Sequence, residues 1–393
     1  MKNGLEDGSG PLNGLFVVEI AGIGPGPFAA MCLADLGATV VRVDRAESVQ
    51  SDAKSGAKGF QASDLMNRNR YSIGVNLKSE FGRSVVLDLV KKSDALIEGF
   101  RPGVAERLGI GPEDCFKVNK KLIYGRMTGF GQDGPLKDRA GHDINYISIS
   151  GALSLIGRQG EKPVPPLNLV GDFGGGGLIL AFGIMCGIFE AARSGEGQVV
   201  DAAMVDGSAL LSTFIYGLRN AGFWNDTRGV NLLDSGAHFY EVYETKDGKY
   251  MSVGAIEPQF YKEFLELSGL GEDLDFSNQM NRSMWPVLKE KTAARFLEKS
   301  RDEWTETFDG SDACVFPVIE VNEVMDNDHL SSRRSFEVFS GIVQPNPAPR
   351  FSKTPGKLRL PPPASGEHSD EVLKLLGYSD DKVSELKKSG SVA

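Results

Sequence analysis

The chain is poor in the residues that most often hold metals or move protons. Four histidines and four cysteines serve 393 residues. The cysteines (Cys32, Cys115, Cys186, Cys314) stand far apart and form no CxxC pair. That spacing argues against a disulfide framework or a cysteine zinc site, and fits reduced, buried side chains in a reducing compartment. The histidines (His142, His238, His329, His368) form neither HxxH nor HExxH, so no metal site is expected. Positive charge is also short: 43 Lys and Arg stand against 53 Asp and Glu, a net charge of −10. Nucleic acid and anionic membrane surfaces require a basic face, so neither partner is expected. The most apolar run, residues 178–189, stops at Glu190. That is short of the roughly 20 residues that span a bilayer, and it reads as a buried helix. Residues 1–10 resemble neither a signal nor a transit peptide, and the final residues are not Ser-Lys-Leu. The expected location is intracellular, cytoplasmic by default, with mitochondrion and peroxisome left open.

What is present is an alternation of β and α patterns. Leu15-Phe16-Val17-Val18-Glu19-Ile20 reads as a strand, residues 21–27 as a turn, residues 28–36 as a helix, and Thr39-Val40-Val41-Arg42-Val43-Asp44 as a second strand. The unit repeats through strands near residues 71–78, 95–100 and 122–127. This predicts an α/β fold with a Rossmann-like, mainly parallel sheet covered on both faces. The glycine loop fails as a dinucleotide fingerprint. Gly24 and Gly26 are two apart, with prolines at 25 and 27 that cannot donate to a pyrophosphate, so NAD is not expected. Ligands of such sheets bind beyond the carboxyl ends of the strands. Arg45, Lys78 and Arg101 fall near those ends. Each alone reads as a surface charge; together they form a candidate cradle for a phosphorylated ligand. A smaller α+β unit follows, marked by the hairpin signal Asp247-Gly248 between alternating strands.

The chemistry concentrates in residues 141–177. His142 lies in Gly141-His142-Asp143-Ile144-Asn145-Tyr146, and Asp172 precedes four glycines. Each has an ordinary structural reading, a satisfied histidine and a helix N-cap aspartate. Jointly, they suit an imidazole and a carboxylate acting on opposite faces of a substrate carbon. A carbon acid beside a thioester needs a positioned base and a stabilised oxyanion. The four glycines fit a ligand passing close to the backbone.

These strings are specific. With Gly24-Pro25-Gly26-Pro27, Arg101-Pro102-Gly103-Val104, Pro166-Leu167-Asn168-Leu169-Val170-Gly171-Asp172-Phe173 and Val253-Gly254-Ala255-Ile256-Glu257-Pro258, the chain resembles the α-methylacyl-CoA racemases nearly end to end. These enzymes are a branch of the class III (formyl-CoA transferase-like) CoA-transferase superfamily. The resemblance implies a racemase/epimerase of 2-methylacyl-CoA thioesters acting through an enolate. His142 and Asp172 match the family's two acid/base residues. Glu257 matches a carboxylate that assists the histidine from the other subunit. CoA contacts match Arg45, Val75, Asn76, Leu77, Lys78, Arg101, Gly141, Asp143, Ile144, Asn145 and Tyr146. No separate cofactor is implied, since CoA is part of the substrate. The implied assembly is an interlocked homodimer with shared sites. The implied domains are 1–222 (large, CoA-binding), 223–325 (small) and 326–393 (return linker and remainder of the large domain).

The chain departs from the family pattern in two places. Residues 48–67 are longer than the family's, and Ser235 and His238 stand where the family has Gly and Pro. His238 then reads as a surface histidine, or as a third titratable group near the site. The alternative function is a class III CoA-transferase in which Asp172 attacks the thioester. A non-catalytic acyl-CoA-binding protein is a third reading, disfavoured by the intact His142, Asp172 and Glu257.

Overall fold

The computed structural model describes residues 9–49 and 63–393. Most of the long 48–67 segment therefore lies outside the described residues. The chain forms two compact units. The larger takes in Met1–Ser150, Leu167–Leu211 and Asp328–Ala393; the smaller takes in Gly151–Pro166 and Ser212–Asn327.

In the larger unit six strands form one sheet: β1 (Phe16–Ile20), β2 (Thr39–Arg45), β3 (Arg70–Val75), β4 (Ala95–Glu98), β5 (Ile123–Thr128) and β6 (Gln198–Ala203). Their order is β3-β2-β1-β4-β5-β6, and every neighbouring pair is parallel. Successive side chains leave opposite faces. Val17 enters one core with Ala29 and Leu33 of helix α1 (Pro25–Asp35). Phe16, Val18 and Ile20 enter the other, with Val85 and Leu89 of helix α2 (Glu80–Val90). Burial on both faces is why these strands read as unbroken apolar runs. The order reverses at β1, so the carboxyl ends of β1 and β4 flank the switch point where such sheets open a crevice.

Residues 25–27 belong to α1 and not to the expected turn. Pro25 occupies the first helical position, where a missing N–H costs nothing. The Pro27 carbonyl accepts from buried Arg70, which pairs with buried Glu19 at 2.7 Å. Further along come helix α3 (Asp143–Ile149), a π-helix (Leu169–Leu178), helix α4 (Ile179–Ser194) and helix α5 (Met204–Leu211). The π-helix runs straight into α4. The apolar helix is thus Leu169–Ser194, 26 residues, long and apolar enough by composition to cross a membrane. The wholly buried helix expected at 178–189 is corrected. Leu180 and Ile184 pack beneath the sheet against Gly125, while Phe182 and Phe189 are exposed.

The smaller unit carries β7 (Tyr240–Glu244), β8 (Tyr250–Gly254) and β9 (Val315–Pro317), all antiparallel, with the expected turn at Asp247-Gly248. Its core is aromatic, built on Phe239, Phe264, Phe276, Trp285, Phe296 and Trp304. This unit starts at Ser212, earlier than residue 223, and includes residues 151–166. Arg228 draws that segment in by donating to the Ser154 and Glu161 carbonyls, and Arg158 pairs with buried Glu241.

Candidate active site

His142 stands at the head of α3 in an extended conformation (φ −131°, ψ 176°). Its N–H donates to Asn145 Oδ1 at 3.1 Å, an arrangement that fixes the start of a helix. Its side chain is solvent-exposed within the chain. Asp143 turns the other way and is buried. Its Oδ2 accepts from the Asp172 N–H at 2.7 Å. Gly171 is required by this contact, because a Cβ there would lie 2.6 Å from Asp143 Oδ2. Asp143 thus joins the two candidate acid/base residues, which are thirty positions apart in sequence. It does so through the Asp172 backbone.

Asp172 lies in the first turn of the π-helix, so it is not the N-cap of a following α-helix. π-Helical turns recur at functional sites. Asn168 Nδ2 donates to Asp172 Oδ2 at 3.1 Å. A Cβ on Gly24 would lie 3.4 Å from the same oxygen. The carboxylate therefore sits over the β1–α1 loop, at the switch point of the sheet. Desolvation pushes its pKa above the ordinary aspartate value, and Asp143 adds to the rise; the Asn168 hydrogen bond and the charge of His142 oppose it. A carboxyl group shifted this way holds a proton more readily, which suits a general acid.

The four glycines meet protein, not open space. A Cβ on Gly175 would lie 2.6 Å from the Ser208 backbone nitrogen of α5, and one on Gly177 would lie 2.8 Å from the Pro25 carbonyl of α1. Their expected role in admitting a ligand is corrected. They let the π-helix pack closely on two helices and fix Asp172 in place. Phe173 completes the contact by packing at a tilt against Phe28, with centroids 4.7 Å apart.

The remaining sequence-predicted contacts fall in two places. Arg101 follows β4 and acts electrostatically on Tyr146, as does Asp172, so these groups share one end of the sheet. Desolvation is the main cause of the raised Tyr146 pKa. Arg45 and Val75 are register partners at the carboxyl ends of β2 and β3, followed by the turn Asn76-Leu77-Lys78. Arg45 and Lys78 are exposed, whereas the Val75 side chain belongs to the core and Leu77 packs on it. Val75 presents only its backbone to any ligand.

Glu257 belongs to the smaller unit. It precedes helix α6 (Pro258–Ser268) and is exposed. Cys314, with a left-handed backbone (φ 54°), lies close enough that Glu257 helps to raise its thiol pKa, after burial. His238 is fully buried and not a surface histidine. Its Nε2 is 2.8 Å from the Tyr261 hydroxyl, aromatic rings surround it, and burial pushes its pKa down to about 4. Among the described residues no group of acids, cysteines or histidines is arranged to hold a metal. Sequence reasoning missed Asn168 as a partner of Asp172 and Gly24 as its neighbour. Neither has a local signal, because both depend on how the π-helix docks.

A doubly wound parallel sheet with Asp172 over its switch point is an α/β fold whose polar residues gather where such sheets bind ligands. The chain belongs to CoA-transferase family III, whose model matches residues 12–369. Alpha-methylacyl-CoA racemase from mouse and from human are each 46% identical to it, over 95% of this chain and 96% of theirs. Mouse succinyl-CoA:glutarate CoA-transferase is 29% identical over 98% of this chain and 91% of its own. Among solved structures, a CAIB/BAIF family protein from Brucella suis superposes with a TM-score of 0.80 and 26% identity, covering 94% of this chain and all of that one.

Proposed function

We propose that the protein is an isomerase that interconverts the R and S epimers of 2-methylacyl-CoA thioesters by 1,1-proton transfer. The observation that carries this reading is the link that Asp143 makes between the two acid/base residues. Asp143, in the helix that His142 heads, holds the Asp172 backbone at 2.7 Å. A transferase needs the aspartate alone, as nucleophile. A pair fixed relative to each other is what abstraction on one face and return on the other requires. The greater similarity to relatives named racemase supports the same choice.

In the proposed reaction one residue of the pair takes the α-proton. The C–H electron pair passes into the thioester as an enolate, and the second residue delivers a proton to the opposite face. The raised pKa of Asp172, caused chiefly by desolvation, favours its holding the proton that it delivers as acid. Glu257 of the partner subunit assists His142. Arg45, Val75, Asn76, Leu77, Lys78, Arg101 and the 141–146 backbone hold the CoA portion, and no separate cofactor takes part. The supporting charge is that of Arg45, Lys78 and Arg101 in an otherwise acidic chain.

We also propose a homodimer. Leu169, Leu178, Phe182, Phe189, Leu210 and Leu211 are exposed large apolar residues, all between the π-helix and the end of α5. A surface of this kind calls for a covering partner. A second copy interlocked with the first is the occupant that also brings Glu257 to the pair. Incubation of one pure epimer tests the function. Appearance of the other epimer supports it. CoA passing to an added free carboxylic acid with the configuration retained overturns it in favour of the class III CoA-transferase.

A further inference from the structure

Tyr146 folds back on the loop that leads into His142. It is buried. Its hydroxyl donates to the Gly141 carbonyl, one peptide before His142. Its ring lies against two glycines. A Cβ on Gly129 would come within 2.0 Å of Tyr146 Cε1, and one on Gly141 within 2.8 Å. Phe130 meets the ring edge to face at 5.0 Å. No face of the ring remains for an adenine or a pantetheine arm. The space above Gly129 is occupied by this ring. Asn145 completes the arrangement by accepting from the N–H of that same peptide, that of His142, at 3.1 Å. The Gly141–His142 peptide is thus tied at both its carbonyl and its N–H by side chains one turn further along, while the peptide after His142 is held by the Asn145 and Tyr146 N–H groups donating to the His142 carbonyl.

We infer that Tyr146 and Asn145 are positioning residues that hold His142 for proton transfer, and that their side chains do not bind CoA. This rests on the racemase reading of His142. The physical reason is that an extended residue heading a seven-residue helix is otherwise free to fray. A displacement of about 1 Å at a reacting group can cost on the order of 100-fold in rate. Two side-chain tethers on the peptide before His142, together with the helix bonds to the His142 carbonyl after it, restrict the backbone torsions that aim the imidazole. A carboxylate at position 145 would keep the accepting oxygen.

The test uses the full-length enzyme with Tyr146→Phe, Asn145→Ala and Asn145→Asp. Tyr146→Phe deletes one oxygen and keeps the ring, and residue 145 is exposed, so each variant is expected to fold; thermal melting checks this. The expected result is a 10- to 100-fold fall in kcat for Tyr146→Phe and Asn145→Ala, on the order set by misplacing a reacting group. KM and the dissociation constant for CoA should stay within about two-fold, and Asn145→Asp should recover most of the rate. In heavy water, one epimer should exchange its α-proton with less inversion than in wild type, because only the His142 side is impaired. A rise in KM and weaker CoA binding with kcat unchanged would overturn the inference and make the pair CoA contacts. Wild-type values throughout would overturn it as well. Wild type is assayed in parallel: absence of α-exchange there refutes the racemase reading, whereas an active wild type with unaffected variants refutes only the positioning role.

Discussion

Asp172 combines a chemical role with a stability cost. Its carboxyl is pushed above the ordinary value of 3.8, chiefly by desolvation. Below that value it is neutral in both folded and unfolded chains and costs nothing. As pH rises through the folded pKa, the ionised group must sit desolvated, and stability is lost. Asp172→Asn should therefore abolish turnover while raising the melting temperature, and the rise should be larger at pH 7 than at pH 4. Equal effects at both pH values would contradict the desolvation argument. His238 behaves in the opposite sense. Burial lowers it from 6.5 to about 4, so stability is whole above pH 6.5 and declines as pH falls towards 4. The full loss is about 3 kcal/mol by linkage. Urea unfolding between pH 7 and 4 should show that slope in wild type and a flatter one in His238→Phe. His142 stood out because the chain has only four histidines, and Asp172 because four consecutive glycines follow it two positions on. His238 was not, because nothing local in Gly236-Ala237-His238-Phe239 reports whether a side chain points into an aromatic core.

The π-helix Leu169–Leu178 shows where element-level reading ends. Apolar spacing announced α4, and the β–α alternation announced the parallel sheet. Neither could announce that four glycines would be consumed by backbone contacts, since that depends on α1 and α5 arriving from distant parts of the chain. The same holds for Pro25 and Pro27, which read as a turn until α1 is seen to start on them. Gly175→Ala tests the packing role. Its Cβ would meet the Ser208 backbone at 2.6 Å, and backbone cannot swing aside as a side-chain tip can. The expected cost is about 1–3 kcal/mol by chemical denaturation, together with reduced turnover as Asp172 shifts. Unchanged stability would mean that the π-helix is free to move. Ser235 poses a milder strain, at φ 69° with its carbonyl held by Lys289 at 2.6 Å. Ser235→Gly, which relieves the strain, is expected to leave stability equal or higher in the same assay.

At the scale of the whole molecule, composition and the hairpin signal made two units legible, but not their boundaries. Residues 151–166 belong to the smaller unit because Arg228 reaches into them and their own Arg158 reaches out to Glu241, pairings across 67 to 83 positions that no local pattern encodes. The dimer is the larger consequence. Phe182 is 69% exposed on a helix whose other face is core. Phe182→Asp should shift the protein towards monomer in light scattering and lower turnover with it. A more direct measure of shared sites is to co-express His142→Ala with Glu257→Ala, each inactive alone. A mixed dimer in which His142 and Glu257 come from different chains rebuilds one complete site, so partial recovery of turnover is expected. No recovery would place all three groups within one chain.

The central claim is that two residues move one proton across one carbon. It is tested most directly by turning over a single 2-methylacyl-CoA epimer in heavy water and following deuterium at the α-carbon with configuration. The account predicts α-deuterium in the inverted product, conversion to a mixture of both epimers, and loss of inversion in His142→Ala. Inversion without solvent deuterium, or CoA transfer to a free acid with the α-proton untouched, would contradict it.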